Sequence, residues 1–338
     1  MLYSRRRPDP EVLMTTATIV SSWQGLRLAE RVKGWHYTGG KRDLRMDLLR
    51  GVAVFAMIVD HIGGWDSWLN PITGRNMFAV SAAEPFVFIS GLVMGIVYLN
   101  VVTTQGAAAA VMKAFHRAWS LYLVTIFVTL SLAAVGTALA LGWAPNLSDG
   151  GVRRFVLDVV TLHRTGFLTD VLLMYVLLVL AAGPVILLLS RGYALPVLAG
   201  SWLAWALWQV WPNSVALPWT IQGNSVFHFP SWQVLFFTGL VIGWYRARIE
   251  AWVRRLSRPV LFGALACIAA AAIGIYLVQV THLDDIPERG MLYNLAFNKP
   301  NVPIGRLFDF ALLMVFALTL TTLFWGPIRR AMGWLLIP

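Results

Sequence analysis

Two clusters of ionisable residues stand inside otherwise apolar stretches of this sequence. The first runs Asp43-Leu-Arg45-Met-Asp47-Leu-Leu-Arg50-Gly51 and continues to Asp60-His61. The second is Ser81-Ala-Ala-Glu84-Pro85, leading into Ser90 and Gly91. Ionisable groups in hydrocarbon are costly, and by default they mark function. The imidazole of His61 titrates near neutrality, which makes it the natural general base, with Asp60 and Glu84 as carboxylates able to assist it. On a helix, Arg50 and His61 are separated by about 1100° of rotation, so they share a face within about 20° and stand about 16 Å apart along the axis. Asp47 lies three residues before Arg50, within reach of pairing. Asp60 points about 100° away from His61, toward a neighbouring helix. Arg45, Asp47 and Arg50 therefore form a charged mouth, with a titratable ring some two-thirds of the way along the same helix. Structural readings stand beside these. Asp47 and Arg50 also suit an interfacial ion pair, Ser81 and Glu84 also fit a capping box, and His61 also suits a hydrogen bond across a bundle.

Other polar residues recur near the ends of later apolar runs. They are Asp170 with Tyr175, then His228 to Gln233 including Trp232, then Lys299, Arg306 and Asp309. Asp170, Trp232, Lys299, Arg306 and Asp309 are candidates for an acceptor site or vestibule, and His163, Arg164 and His228 could line the same space, although each taken singly better suits an interfacial anchor or a solvated loop. Lys113, His116 and Arg117 read as charge in a loop. No Walker-type phosphate loop, no metal-binding His or Cys spacing and no Gly-x-Ser-x-Gly elbow occurs. The single cysteine, Cys267, excludes disulfides and a thiolate metal cluster.

The elements that must position these residues are membrane helices. The chain has 338 residues, 58% of them hydrophobic and only 13% charged, against about a quarter charged in ordinary soluble domains. Runs near 48–65, 78–99, 118–141, 170–189, 195–211, 232–246, 260–280 and 308–325 each approach the roughly 20 apolar residues a bilayer needs. The expected fold is an all-α, polytopic transmembrane bundle of about eight spans, with the start of a ninth at Trp334. Period-two alternation is absent, which argues against a β-barrel. With the N-terminus inside, 20 of the 27 Lys and Arg fall in segments 1–50, 100–117, 190–194, 246–258 and 326–332, and 7 in the opposite loops. The positive-inside rule therefore places the N-terminus in the cytoplasm, and the net charge of +11 reads as a topology signal rather than a nucleic-acid surface. Trp65, Trp68, Trp143, Trp211 and Trp232 fall at outer ends, as interfacial anchors do. Residues 1–40 read as a basic cytoplasmic or interfacial segment without a secretory signal, and 41–338 as the membrane domain. The end at Leu335-Leu336-Ile337-Pro338, where a new apolar run opens, reads as a C-terminal truncation.

The run Arg42-Asp43-Leu-Arg45-Met-Asp47-Leu-Leu-Arg50-Gly51, then Asp60-His61, then Ser81-Ala-Ala-Glu84-Pro-Phe-Val-Phe-Ile-Ser90-Gly91, resembles the OpgC family of osmoregulated periplasmic glucan succinyltransferase-like proteins. That family looks related to the type 3 membrane acyltransferases. Weaker echoes follow at Leu168-Thr-Asp170 to Tyr175, at Pro230-Ser-Trp232-Gln233, and from Lys299 through Arg306 to Asp309, where the family pattern tends to have His. The resemblance implies an inner (plasma) membrane O-acyltransferase using acetyl- or succinyl-CoA as co-substrate. It would carry the acyl group to a hydroxyl of an extracytoplasmic glycan. Arg45, Asp47 and Arg50 would then meet acyl-CoA, since arginine binds phosphate oxygens bidentately. His61 would act as base, with Glu84 orienting its ring. A transporter or flippase for a glycan, lipid or small anion is the rival reading, since membrane charges also mark transport paths. A catalytically inactive partner is the other.

Overall fold

The computed structural model describes residues 43–63, 67–74, 77–147, 150–166, 168–253, 255–282 and 290–336. The basic segment 1–40, Trp65 and Arg75 lie outside them. Regular structure among the described residues is helical, with a single isolated β-bridge between Arg164 and Gln222.

In chain order the helices are α1 (Leu44–Ile62), α2 (Asn70–Thr73), α3 (Ala83–Gln105), α4 (Ala107–Ala138), α5 (Gly151–Val160), α6 (Asp170–Ser190) and α7 (Ala194–Val210). They continue as α8 (Pro212–Val215), α9 (Phe229–Trp244), α10 (Arg246–Val253), α11 (Arg258–His282), α12 (Ile304–Leu323) and α13 (Trp325–Met332). A π-helical turn spans Tyr293–Phe297, and a 3-10 turn spans Gly333–Leu335.

Among the described residues, five helices are long and apolar enough to cross a membrane: α3, α4, α6, α12 and the Phe262–Thr281 part of α11. Helices α7 and α9 are apolar but shorter. The 19-residue α1 carries too many charges to count among the five, although it is one unbroken helix. Each expected apolar run thus coincides with a helix.

Two expectations need correction. Residues 100–117, read as a charged loop, are helical except at Gly106. The alanines from Ala107 to Ala110 favour helix strongly, and Gly106 makes the turn with a left-handed φ of 89°. Lys113, His116 and Arg117 therefore ride on α4. Likewise 326–332, read as a loop, is helical, and a short 3-10 turn follows at Gly333–Leu335.

Packing depends on small residues. Gly91 and Gly95 on α3 face Gly239 and Gly243 on α9. A methyl added to Gly91 would strike the Phe236 carbonyl, one on Gly95 the Leu240 carbonyl, and one on Gly243 the Leu92 carbonyl. Such backbone-to-backbone approach is the small-residue mode of membrane helices, which lack a hydrophobic drive to associate. Helix α4 buries Ala110, Ala114, Ala118, Thr125 and Thr129, a stripe at helical spacing, and it packs on α6. Helix α1 meets the C-terminal turn, where Gly51 abuts the Leu335 carbonyl and the Phe55 and Trp334 rings stand edge to face at 5.4 Å.

Candidate functional site

One cavity of about 770 Å³ gathers residues from distant parts of the chain. His61 and Met57 reach it from α1, Asp170 from the start of α6, and Lys299 from the segment before α12. Arg164, Gln222, Gly223 and Phe227 form part of its rim. Met57 and His61 lie one turn apart on the face that Arg50 shares seven residues earlier.

The rim is held by backbone. Thr165 N–H donates to the Gln222 carbonyl at 2.9 Å, and Gln222 N–H donates to the His163 carbonyl at 2.8 Å. Gly223 adopts φ +84° and lies against the Thr165 carbonyl, a conformation and closeness that suit glycine. Arg164 donates to the Asn146 carbonyl at 2.9 Å, and its guanidinium stands 5.0 Å from the centre of the Phe155 ring. Asp170 begins α6 with Oδ1 accepting the Val171 N–H at 3.0 Å.

His61 is exposed to the cavity. The charges of Lys299, Asp60 and Asp170 all act on it. Asp60 is partly buried, with both carboxylate oxygens inside the protein, on the neighbouring face of α1 as the helical phase requires. Lys299 stands 5.8 Å from the centre of the Phe227 ring. Burial pushes its ammonium below the ordinary lysine range, and Arg306 adds to this, while Glu84, Asp60 and Asp170 oppose it.

Glu84 is placed differently from its expected partnership with His61. Its Oε1 accepts from Arg306 Nε at 2.6 Å, with neither side chain exposed. Its Oε2 accepts from both the backbone N–H and the hydroxyl of Ser81 at 2.8 Å. The capping contact and a buried ion pair thus occupy both oxygens, and the carboxylate close to His61 is Asp170 or Asp60 instead. Arg306 also donates from Nη1 to the Phe297 carbonyl at 3.1 Å. Asp309, one helical turn beyond Arg306, accepts from Gln279 Nε2 at 3.0 Å, and Gln279 Oε1 accepts the Ala79 N–H at 2.8 Å. Arg306 Nη2 and Asp309 Oδ1 are buried without a hydrogen-bond partner among the described residues. Arg306 and Asp309 are therefore buried in the protein and do not line the cavity.

Trp232 is also not in a vestibule or at an interface. It is fully buried, donates from Nε1 to the Val226 carbonyl at 3.0 Å, and packs on Phe227 at 4.8 Å. Its place near a span end says nothing about which way the side chain faces, and α9 turns it into the core. By contrast Trp68 and Trp211 are exposed. Of the charged mouth, Asp47 is buried, and Arg45 donates to the Thr322 hydroxyl of α12 at 2.6 Å.

Gln279, which sequence reasoning missed, links Asp309 to the Ala79 backbone within this buried network. The only signal was an amide within the apolar run of α11. A family model described as OpgC protein matches residues 42–338. No match was found among curated proteins or among solved structures. The matched range contains the cavity, the buried Arg306–Glu84 pair and the five long apolar helices of the described residues, and the chain is a membrane protein belonging to the OpgC family.

Proposed function

We propose that the protein is a plasma-membrane O-acyltransferase of glucan modification. It would move an acyl group, acetyl or succinyl, from cytoplasmic acyl-CoA to a hydroxyl of an extracytoplasmic glycan. Family membership supports the class of reaction. The observation that carries the mechanism is the meeting of His61, Asp170 and Lys299 on one cavity of about 770 Å³, within the size range of small-molecule sites.

In this reading His61 accepts the proton of the glycan hydroxyl as that oxygen attacks the thioester carbonyl. The carbon–sulfur bond breaks, and the coenzyme A thiolate leaves with the proton that His61 took. The thioester is already activated, so no acyl-enzyme is needed. Asp170 and Asp60 stabilise the imidazolium formed on the way, in place of Glu84. Lys299 and Arg164 supply positive charge for the oxyanion that develops on the carbonyl. Arg50, with Arg45 and Asp47 at the far end of the same helix, receives the coenzyme A phosphates.

The test uses purified protein in detergent with labelled acetyl- and succinyl-CoA and a gluco-oligosaccharide acceptor. Transfer should fall by at least about 100-fold in His61→Ala, with the melting temperature little changed. Acyl-CoA should raise the melting temperature of the parent protein but not of Arg50→Ala. Undiminished transfer in His61→Ala would remove the base from this scheme. Activity that required an ion gradient instead of acyl-CoA would indicate transport.

A further inference from the structure

A second pocket, of about 250 Å³, lies on the other side of the 216–228 segment. Thr220, Ile221, Asn224 and His228 of that segment face it, while Gln222, Gly223, Val226 and Phe227 face the main cavity. Alternate parts of one strap thus serve two adjoining concavities.

The lining of the smaller pocket is aromatic and fixed. Trp208 and Trp219 are both only partly exposed. Trp208 Nε1 donates to Asn301 Oδ1 at 3.2 Å, and Trp219 Nε1 donates to the Leu162 carbonyl at 3.1 Å. Their polar edges are therefore committed to protein, unlike an interfacial anchor whose N–H meets headgroups and water. His228 stacks on Trp208 at 5.1 Å with planes inclined 36°. Burial holds its imidazole below the ordinary value, partly offset by a hydrogen bond to the Ser225 backbone. With one ring nitrogen donating to the Ser225 carbonyl, the other nitrogen of the neutral ring is left to accept from a hydroxyl. Asn224 is locked by two 3.0 Å hydrogen bonds with the Phe227 backbone, which stiffens the strap.

We infer that this pocket is a sugar-binding subsite, in which Trp208 and Trp219 offer apolar platforms to a pyranose ring and His228 hydrogen-bonds its hydroxyls. The C–H face of a pyranose is apolar and its rim is hydroxylated. It therefore matches rigid aromatic rings with a few polar groups at the edge, the usual build of a small-molecule site. The pocket would hold one sugar of an oligosaccharide while a neighbouring unit enters the main cavity across the strap. This assignment rests on the glycan-acceptor reading above, but binding can be measured without transfer.

The experiment titrates full-length protein in detergent with a neutral gluco-oligosaccharide, following tryptophan fluorescence and calorimetry. Soluble phosphocholine is the competing probe for a lipid headgroup. Binding should weaken tenfold or more in Trp208→Ala and in His228→Ala, recover largely in Trp208→Phe, and persist in His61→Ala. His228→Ala on the strap keeps the test decisive if Trp208→Ala does not fold. Unchanged oligosaccharide binding in either folded variant, no binding to the parent protein, or stronger binding of phosphocholine lost in the same variants would each overturn the subsite. If the oligosaccharide binds here but accepts no acyl group, the acyltransferase reading fails and the subsite stands. If transfer proceeds with an unaltered acceptor KM in Trp208→Ala, the subsite fails and the acyltransferase reading stands.

Discussion

Arg306 and Glu84 lie 222 residues apart in sequence, yet they meet at 2.6 Å with both side chains fully buried. The pair joins the start of α12 to the start of α3. Removing one partner leaves an uncompensated charge in a low-dielectric interior, which typically costs about 3–5 kcal/mol. Glu84→Gln and Arg306→Met should therefore each lower the melting temperature in detergent sharply. The double variant should recover a large share of the loss, because both charges are then gone. A double variant as unstable as the sum of the two singles would mean that the two residues act independently.

Lys299 gives the structure a pH dependence of definite sign. Burial depresses its ammonium below the ordinary lysine value. Between the lowered value and the ordinary one, the unfolded chain holds more proton than the folded chain, so stability rises with pH across that window. Lys299→Met should flatten this slope. The same depression leaves more neutral amine at moderately alkaline pH, so mass spectrometry should show Lys299 acylated by acetic anhydride at a lower pH than ordinary lysines. Labelling that required the ordinary alkaline range would contradict the depression.

What the sequence made legible follows from the range of each force. A bilayer demands long apolar runs, so the helices over 170–189 and 308–325 were visible in composition alone. The phase that puts Met57 and His61 on one side of α1 needs only the helical repeat. Lys113 and Arg117 misled because charge was read as loop, whereas alanine propensity carried α4 through them. Glu84 could be recognised as a capping residue from Ser81, three positions away. Its partner Arg306 could not, since no local rule selects one arginine in a distant segment. Trp232 shows the same limit, because position along the chain does not fix which way a ring turns.

Asp170 should matter to catalysis without mattering to donor binding. It lines the cavity with His61, whereas both oxygens of Glu84 are engaged elsewhere. Asp170→Asn keeps the shape and removes the charge that favours imidazolium. We expect kcat for acyl transfer to drop roughly tenfold or more, less than the ~100-fold loss for His61→Ala. Stabilisation by acyl-CoA should be retained, since the donor phosphates are assigned to Arg50 at the other end of α1. If Asp170→Asn is fully active and Asp60→Asn is not, Asp60 is the carboxylate that serves the ring.

The glycine pairs between α3 and α9 provide a test of the bundle that is independent of chemistry. Gly91 and Gly95 lie against carbonyls of α9, and Gly239 and Gly243 lie against carbonyls of α3. Because the obstacle at each is backbone rather than a flexible side chain, the helices would have to separate to admit even a methyl. Overpacking of this kind costs typically about 1–3 kcal/mol at a single site. Gly91→Ala and Gly243→Ala should each lower the melting temperature, and Gly91→Leu should prevent a monodisperse fold. Gly200 and Gly274 have no such neighbour, so alanine there should leave stability nearly unchanged. Equal tolerance at both sets of positions would mean that α3 and α9 do not approach as closely as the structure places them.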